Sequence, residues 1–166
     1  MGALRDAEAW LAAFVRFVTV TVGVVMVSSL IAGVFFRYVM QDSLAWSDEV
    51  AMLCFSWMTL LAAALLVREG GHVRVELIES VLPGPMVRLL RALIALGIFV
   101  MGLYMVWTGW SYLGLTEGEL SAAMRYPMSL RYVALPVSGA LIMVFSVVHV
   151  LDSRTALMND DLDGVA

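Results

Sequence analysis

Charge is scarce in this sequence, and lysine is missing from it altogether. Of 166 residues only 14% are charged, and all ten basic residues are arginine. A soluble domain of this length carries closer to a quarter charged residues, because it needs a solvated surface. Here 62% of the residues are hydrophobic and the mean hydropathy is +0.93. The excess apolar surface must face lipid. No run of basic residues occurs anywhere, which argues against nucleic acid as a partner. The net charge of −4 comes largely from an acidic tail, Asp160, Asp161 and Asp163, and from carboxylates near the ends of apolar segments. A single cysteine, Cys54, excludes an intrachain disulfide and a CxxC redox or zinc site, and within its apolar segment it reads as a small buried residue.

The apolar residues gather into four windows free of Asp, Glu, Lys and Arg: Phe17 to Phe36, Val50 to Val67, Ala92 to Thr116 and Tyr132 to Leu151. A membrane-crossing helix needs about 20 such residues, since a rise of about 1.5 Å per residue must span a core of about 30 Å. The first window is longer than a signal-peptide core and lacks a clear small-x-small cleavage site, so a retained helix is expected. The expected helices run over about 14–37, 47–68, 86–115 and 130–151, with a tail over 152–166. A short amphipathic helix is expected over about 73–82, where Val73, Leu77, Ile78, Val81 and Leu82 recur at helical spacing around Arg74 and Glu79; Pro83-Gly84-Pro85 ends it. The fold class is therefore all-α integral membrane, one domain of four transmembrane helices with an interfacial helix between the second and third.

Arginine placement orients the chain. Arg5, Arg16, Arg68, Arg74, Arg88, Arg91 and Arg154 fall on one side of the four windows, against Arg37, Arg125 and Arg131 on the other. The richer side is assigned to the cytoplasm, which puts both termini there. Trp107, Trp110 and Tyr112 mark the outer end of helix three as an aromatic belt would. Pro136 should bend the fourth helix or mark its start, with Ser129 as its cap. Ser28 with Ala32, Ser29 with Gly33, and Ala62 to Ala64 permit close helix approach.

The loop after helix one carries a polar cluster. Ser47 is suited to cap helix two, with Asp48 and Glu49 in the first turn, where their charge complements the helix dipole. A pair between Arg37 and Asp48 or Glu49 would pin the hairpin at the outer interface, and contact with a solute or docking protein is the competing role. His72 and His149 could lie on one side of the membrane, but a lone pair without cysteine or clustered carboxylates is weak evidence for metal or haem. The missing intramembrane charges say more. Ion-coupled transporters and proton relays place ionisable groups inside the membrane, and this chain is not equipped to run such a cycle alone.

Phe36-Arg37-Tyr38, Trp46-Ser47-Asp48-Glu49, Arg68 followed by His72-Val73-Arg74-Val75-Glu76, then Tyr126-Pro127-Met128 and Ala134-Leu135-Pro136 resemble the small permease subunit of tripartite ATP-independent periplasmic (TRAP) transporters, the DctQ-like family. The resemblance covers about residues 17 to 151. Asp48 and Glu76 stand where that family often has glutamate and aspartate, which keeps the charge. The resemblance implies a chain without enzymatic activity or cofactor in the bacterial inner membrane. It further implies packing against a large permease subunit for sodium-driven uptake of an organic acid or related solute brought by a periplasmic solute-binding protein. Arg37, Tyr38, Trp46, Asp48, Glu49, Arg68, His72, Arg74 and Glu76 are the structural or partner-interface candidates. The alternatives are a stand-alone haem or quinone redox subunit, which would need paired intramembrane histidines or cysteines, and a small oligomeric transporter, which would need an intramembrane carboxylate.

Overall fold

The computed structural model describes residues 2–69 and 84–163, with side chains described over 6–69 and, Arg88 and Arg91 apart, over 86–148. Helix α1 runs over Gly2–Phe35 and continues into a π-helical turn, Phe36–Met40. Then follow α2 at Ala45–Arg68, α3 at Gly84–Leu115, a single turn α4 at Ser129–Tyr132, and α5 at Ala134–Asp163. Four stretches are long and apolar enough to cross a membrane: Asp6–Met40, Ala45–Arg68, Ala92–Leu115 and Ser129–Val148. The protein is an all-α membrane protein of four spans. The interfacial helix expected over about 73–82 lies outside the described residues.

Hydrophobicity locates the spans, whereas hydrogen bonding locates the helix ends, and the two differ here. α1 begins at Gly2 rather than near residue 14, because Ala3 to Ala13 is rich in Ala, Leu, Arg and Glu and contains neither Gly nor Pro. α5 also continues through most of the segment expected as a tail, which is poorer in helix formers but likewise contains neither Gly nor Pro, and ends just before Gly164. α3 starts at Gly84 with Pro85 in its first turn, where a missing N–H costs nothing.

Two caps differ from expectation. α2 starts at Ala45 with Leu44 as its N-cap, and Ser47 lies inside the first turn, donating its hydroxyl to the Leu44 carbonyl at 2.9 Å. Its place is set by α1: a Cβ on Gly33 would come within 2.5 Å of Ser47 Oγ, so the two backbones close on each other there. Ser129 is the first residue of α4 rather than its cap, and Met128 caps it without a side-chain bond.

Pro136 explains the break between α4 and α5. Val133 N–H bonds the Ser129 carbonyl at 2.8 Å and Val137 N–H the Val133 carbonyl at 3.2 Å, but Pro136 has no N–H to offer Tyr132. The helix therefore interrupts at Val133, one turn ahead of the proline. The proline ring packs on Gly109 of α3, where an added Cβ would lie 2.5 Å from its Cδ.

The helices form an open row. α1 packs on α2, α2 on α5, and α5 on α3, while α1 and α3 share no comparable interface. The core lies where α1, α2 and α5 meet, and contains Ala12, Val15, Leu61, Ala64, Leu65, Ile142 and Phe145. α3 and α5 touch through glycines: a Cβ on Gly139 would meet the Gly102 carbonyl at 2.7 Å, and one on Gly102 the Gly139 carbonyl at 2.9 Å. Ser146 adds a bond across the same pair, donating to the Ala95 carbonyl at 3.2 Å. Of the small pairs noted on α1, Ser29 and Gly33 face inward and Ser28 faces out.

Candidate partner-interface residues

At its C-terminal end α1 closes in the π-helical turn, after which Gln41 adopts a left-handed φ of 56° and Asp42 N–H bonds the Phe36 carbonyl at 3.2 Å. The extra residue per turn carries Arg37 toward α2, where the carboxylate within reach is Asp48, with Nη2 to Oδ2 at 3.6 Å. Both side chains are more than half exposed. A pair this long and this wet contributes about 0–1 kcal/mol. Tyr38 is 75% exposed and packs little on the chain, whereas Trp46, 41% exposed, is partly covered by it.

Glu49 does something the sequence did not reveal. Its carboxylate turns away from α1 and holds the loop between α3 and α4. Oε1 accepts from Ala123 N–H at 2.7 Å, and Oε2 accepts from Met124 N–H at 2.9 Å and from the Ser121 hydroxyl at 2.8 Å. Three convergent donors make a small anion-binding concavity, and the chain fills it with its own carboxylate.

The loop is stiffened around that point. Leu120 bridges Pro127, Ser121 N–H bonds the Tyr126 carbonyl at 2.9 Å, and Met128 N–H bonds the Glu119 carbonyl at 3.0 Å. Arg125 sits at a left-handed φ of 55°, closing the turn. Partial burial pushes the Tyr126 phenol above its usual range, and the neighbouring Glu49 carboxylate adds to the effect, so it stays neutral as a packing group.

Two further bonds fasten α2 to the same region. Trp57 Nε1–H donates to the Leu130 carbonyl at 3.0 Å, and Arg131 Nε–H donates to Ser56 Oγ at 3.2 Å. Tyr132 meets Tyr112 of α3 edge to face at 4.8 Å between ring centroids.

At the opposite end of the hairpin, Arg68 and Glu69 close α2 against α1. Arg68 Nε–H donates to Glu8 Oε1 at 2.8 Å, both side chains largely buried, and Arg16 pairs with Glu69. Neither Glu8 nor Glu69 stood out in the sequence. The signal was there in spacing: Glu8 shares a face with buried Ala12 and Val15, which is informative only once α1 is known to extend back past residue 8. His72, Arg74 and Glu76 lie outside the described residues. Among the described residues no three of His, Cys, Asp and Glu gather as a metal site would require.

A four-span membrane chain with ionisable groups confined to its ends fits one transporter family closely. Residues 26–156 match the family model described as tripartite ATP-independent periplasmic transporters, DctQ component. The chain belongs to the DctQ family. Two relatives are similar to it. The C4-dicarboxylate TRAP transporter small permease protein DctQ of Vibrio cholerae is 33% identical over 64 residues, 39% of this chain and 27% of that protein. A putative TRAP transporter small permease protein of Haemophilus influenzae is 20% identical over 136 residues, 80% of this chain and 82% of that one. The match to the Vibrio protein thus spans about a quarter of its length. Membership makes this DctQ chain the small membrane subunit of a TRAP transporter, a multi-pass protein of the bacterial inner membrane in a family of transporters rather than enzymes. The family match begins within α1, so it includes Arg37, Asp48, Glu49 and the clasped loop but leaves out Glu8 and Arg16.

Proposed function

We propose that this DctQ chain packs against the fixed scaffold of a large TRAP permease subunit and stabilises it, while that subunit carries out sodium-driven uptake of an organic acid or related solute delivered by a periplasmic solute-binding protein. The observation that carries this reading is the absence of Asp, Glu, Lys and Arg from the four apolar windows. Moving an ion or an anionic solute through a bilayer needs groups that replace its water, and those groups have to come from another chain. Of the charged side chains at the helix ends, Glu8, Arg16, Arg37, Asp48, Arg68 and Glu69 are instead paired with one another, and Glu49 accepts from backbone and Ser121.

On this reading both termini and the 70–83 segment are cytoplasmic, following the seven-to-three arginine distribution. The Glu49-clasped loop, Tyr38 and Trp46 are then periplasmic, where they meet the binding protein or the outer end of the large subunit. Arg68 and the His72, Arg74 and Glu76 segment belong to the cytoplasmic edge. Reconstitution tests the reading. Proteoliposomes holding this chain alone should take up no solute, and sodium-dependent uptake should appear only when the large subunit and the loaded binding protein are supplied. Sodium-dependent uptake by the isolated chain would overturn it.

A further inference from the structure

The two helices at the ends of the row leave free faces of different chemistry. On α1 the exposed residues inside the apolar window are mostly hydrophobic, among them Phe17, Val20, Val24, Val25, Val27, Leu30, Ile31 and Val34; of its two exposed hydroxyls Thr21 donates to the Phe17 carbonyl at 2.9 Å and the other is the short side chain of Ser28. Ser28 apart, lipid covers such a face without loss. The free face of α3 is different. Gly97, Val100, Tyr104, Trp107, Ser111 and Gly114 follow one another at alternating spacings of three and four, and all are exposed. That spacing is the seam of a helix that packs along another helix.

Tyr104 lies halfway along the span Ala92–Leu115 and is 69% exposed. Tyrosine belongs at the bilayer edge, where its hydroxyl reaches water. At mid-depth the hydroxyl has neither water nor, among the described residues, a protein partner, and leaving it unsatisfied in hydrocarbon is costly. One turn on, Trp107, expected in an outer aromatic belt, lies only a few residues past the middle of the same span and is 75% exposed.

The glycines supply an independent sign. Gly23, Gly33, Gly102, Gly109 and Gly139 each sit where an added Cβ would crowd another helix of this chain, so internal packing accounts for them. Around Gly97 and Gly114 nothing lies within 4 Å. A glycine in a helix weakens it unless a backbone approaches closely, and here the approach comes from outside the chain.

We propose that this face of α3 docks a membrane helix of the large permease subunit, one with a hydrogen-bond acceptor near bilayer mid-depth and bulky residues toward either end. The proposal rests on the reading of this chain as that subunit's partner and names the surface used. Complementarity selects this occupant over a second copy of the chain. A parallel pair of copies would set Tyr104 and Trp107 against themselves, bulk against bulk and N–H against N–H, and would leave gaps at the glycines. A heterologous helix with the opposite order of large and small residues fills the same seam.

The test is co-expression with the large subunit and purification through a tag on this chain. Gly97→Leu should reduce the co-purified large subunit at least fivefold and Tyr104→Phe about twofold, while Val24→Leu on α1 leaves it unchanged. The isolated Gly97→Leu chain should melt as wild type does, because that site is empty internally. In a Cys54→Ala background, Val100→Cys should crosslink to the large subunit with a short bis-maleimide and Val24→Cys should not. Wild-type recovery of the large subunit with Gly97→Leu, crosslinking from Val24→Cys alone, or crosslinking of Val100→Cys to a second copy of this chain each overturns the proposal. If the wild-type chain itself brings down no large subunit, the functional reading fails first and the docking face falls with it.

Discussion

Replacing Gly139 by alanine tests the α3–α5 contact at its tightest point. The added Cβ would lie 2.7 Å from the Gly102 carbonyl oxygen, 2.9 Å from Met105 Cβ and 3.1 Å from Val106 Cγ2. A carbon normally meets a carbonyl oxygen no closer than about 3.3 Å, so the shortfall is about 0.6 Å. The obstructing atom is backbone on the facing helix and cannot rotate aside. The helices must therefore separate along this stretch, and a gap of about 0.5–1 Å forfeits a quarter to a half of each dispersion contact. Overpacking of this kind costs about 1–3 kcal/mol, and alanine returns about 1 kcal/mol through its better helix propensity. The net loss is about 0–2 kcal/mol, or a fall of up to about 8 °C in melting midpoint for a chain of this size. Gly97→Ala is the matched control. With nothing within 4 Å of the new methyl group, only the propensity gain remains, and the isolated chain should melt at or above the wild-type temperature. Gly102→Ala should act like Gly139→Ala, and the double variant should lose less than the sum, because the first substitution already parts the helices. The measurement is thermal unfolding of the purified chain in mild detergent. Equal shifts for Gly139→Ala and Gly97→Ala would refute the reasoning.

Glu49→Gln places an amide NH₂ where one carboxylate oxygen accepted, setting donor against donor in the loop. Amide hydrogen exchange at Ala123 and Met124 should accelerate, and unchanged exchange would show that the clasp is dispensable. Arg37→Ala should leave the melting midpoint within about 1 kcal/mol of wild type, since its pair with Asp48 is long and exposed. Arg68→Ala strands the largely buried Glu8 carboxylate and should lower the midpoint more than Arg37→Ala does; the reverse order would show that the inner pair is not structural. Reporter fusions at the C-terminus and in the 70–83 segment should read as cytoplasmic and those near Asp42 or Glu119 as periplasmic, and a periplasmic C-terminus would refute the orientation.

The spans were legible because lipid imposes a single demand, uncharged residues in runs of about 20, and the sequence meets it four times. The ends were less legible. Arg16 ends the hydrophobic window and Arg5, Asp6 and Glu8 lie beyond it, but none of them ends the helix, so the first turns of α1 and their pairing with Arg68 were not legible. Between α1 and α2, proximity in sequence favoured Arg37 for both Asp48 and Glu49. Adjacent residues on a helix point about 100° apart, however, so only one of the two could face α1. Asp48 does, and Glu49 finds donors in a loop more than 70 residues away. Backbone N–H groups carry no letter in the sequence, so two of those three donors had no sequence signal, and Ser121 alone did not single itself out. Pro136 was legible because its missing N–H acts in one place. The choice between bend and start was settled by Gly109, whose bare backbone makes room for the ring.

The bonds that fasten α2 to the second half of the chain also order events during synthesis. Glu49 to Ser121, Trp57 to Leu130 and Ser56 to Arg131 join residues 72, 73 and 75 positions apart. At about 5–20 residues per second, the ribosome supplies each partner roughly 4–15 seconds after the group that awaits it. The pairs that close α1 on α2, Arg68 on Glu8 and Arg16 on Glu69, are complete within the first two helices and need nothing made later. The Glu49 carboxylate, by contrast, gains its donors only with Ser121, Ala123 and Met124. A chain stalled after α2 would therefore carry that acceptor still open, a distinct species on which a membrane protease or an insertion factor could act before the second pair of helices arrives.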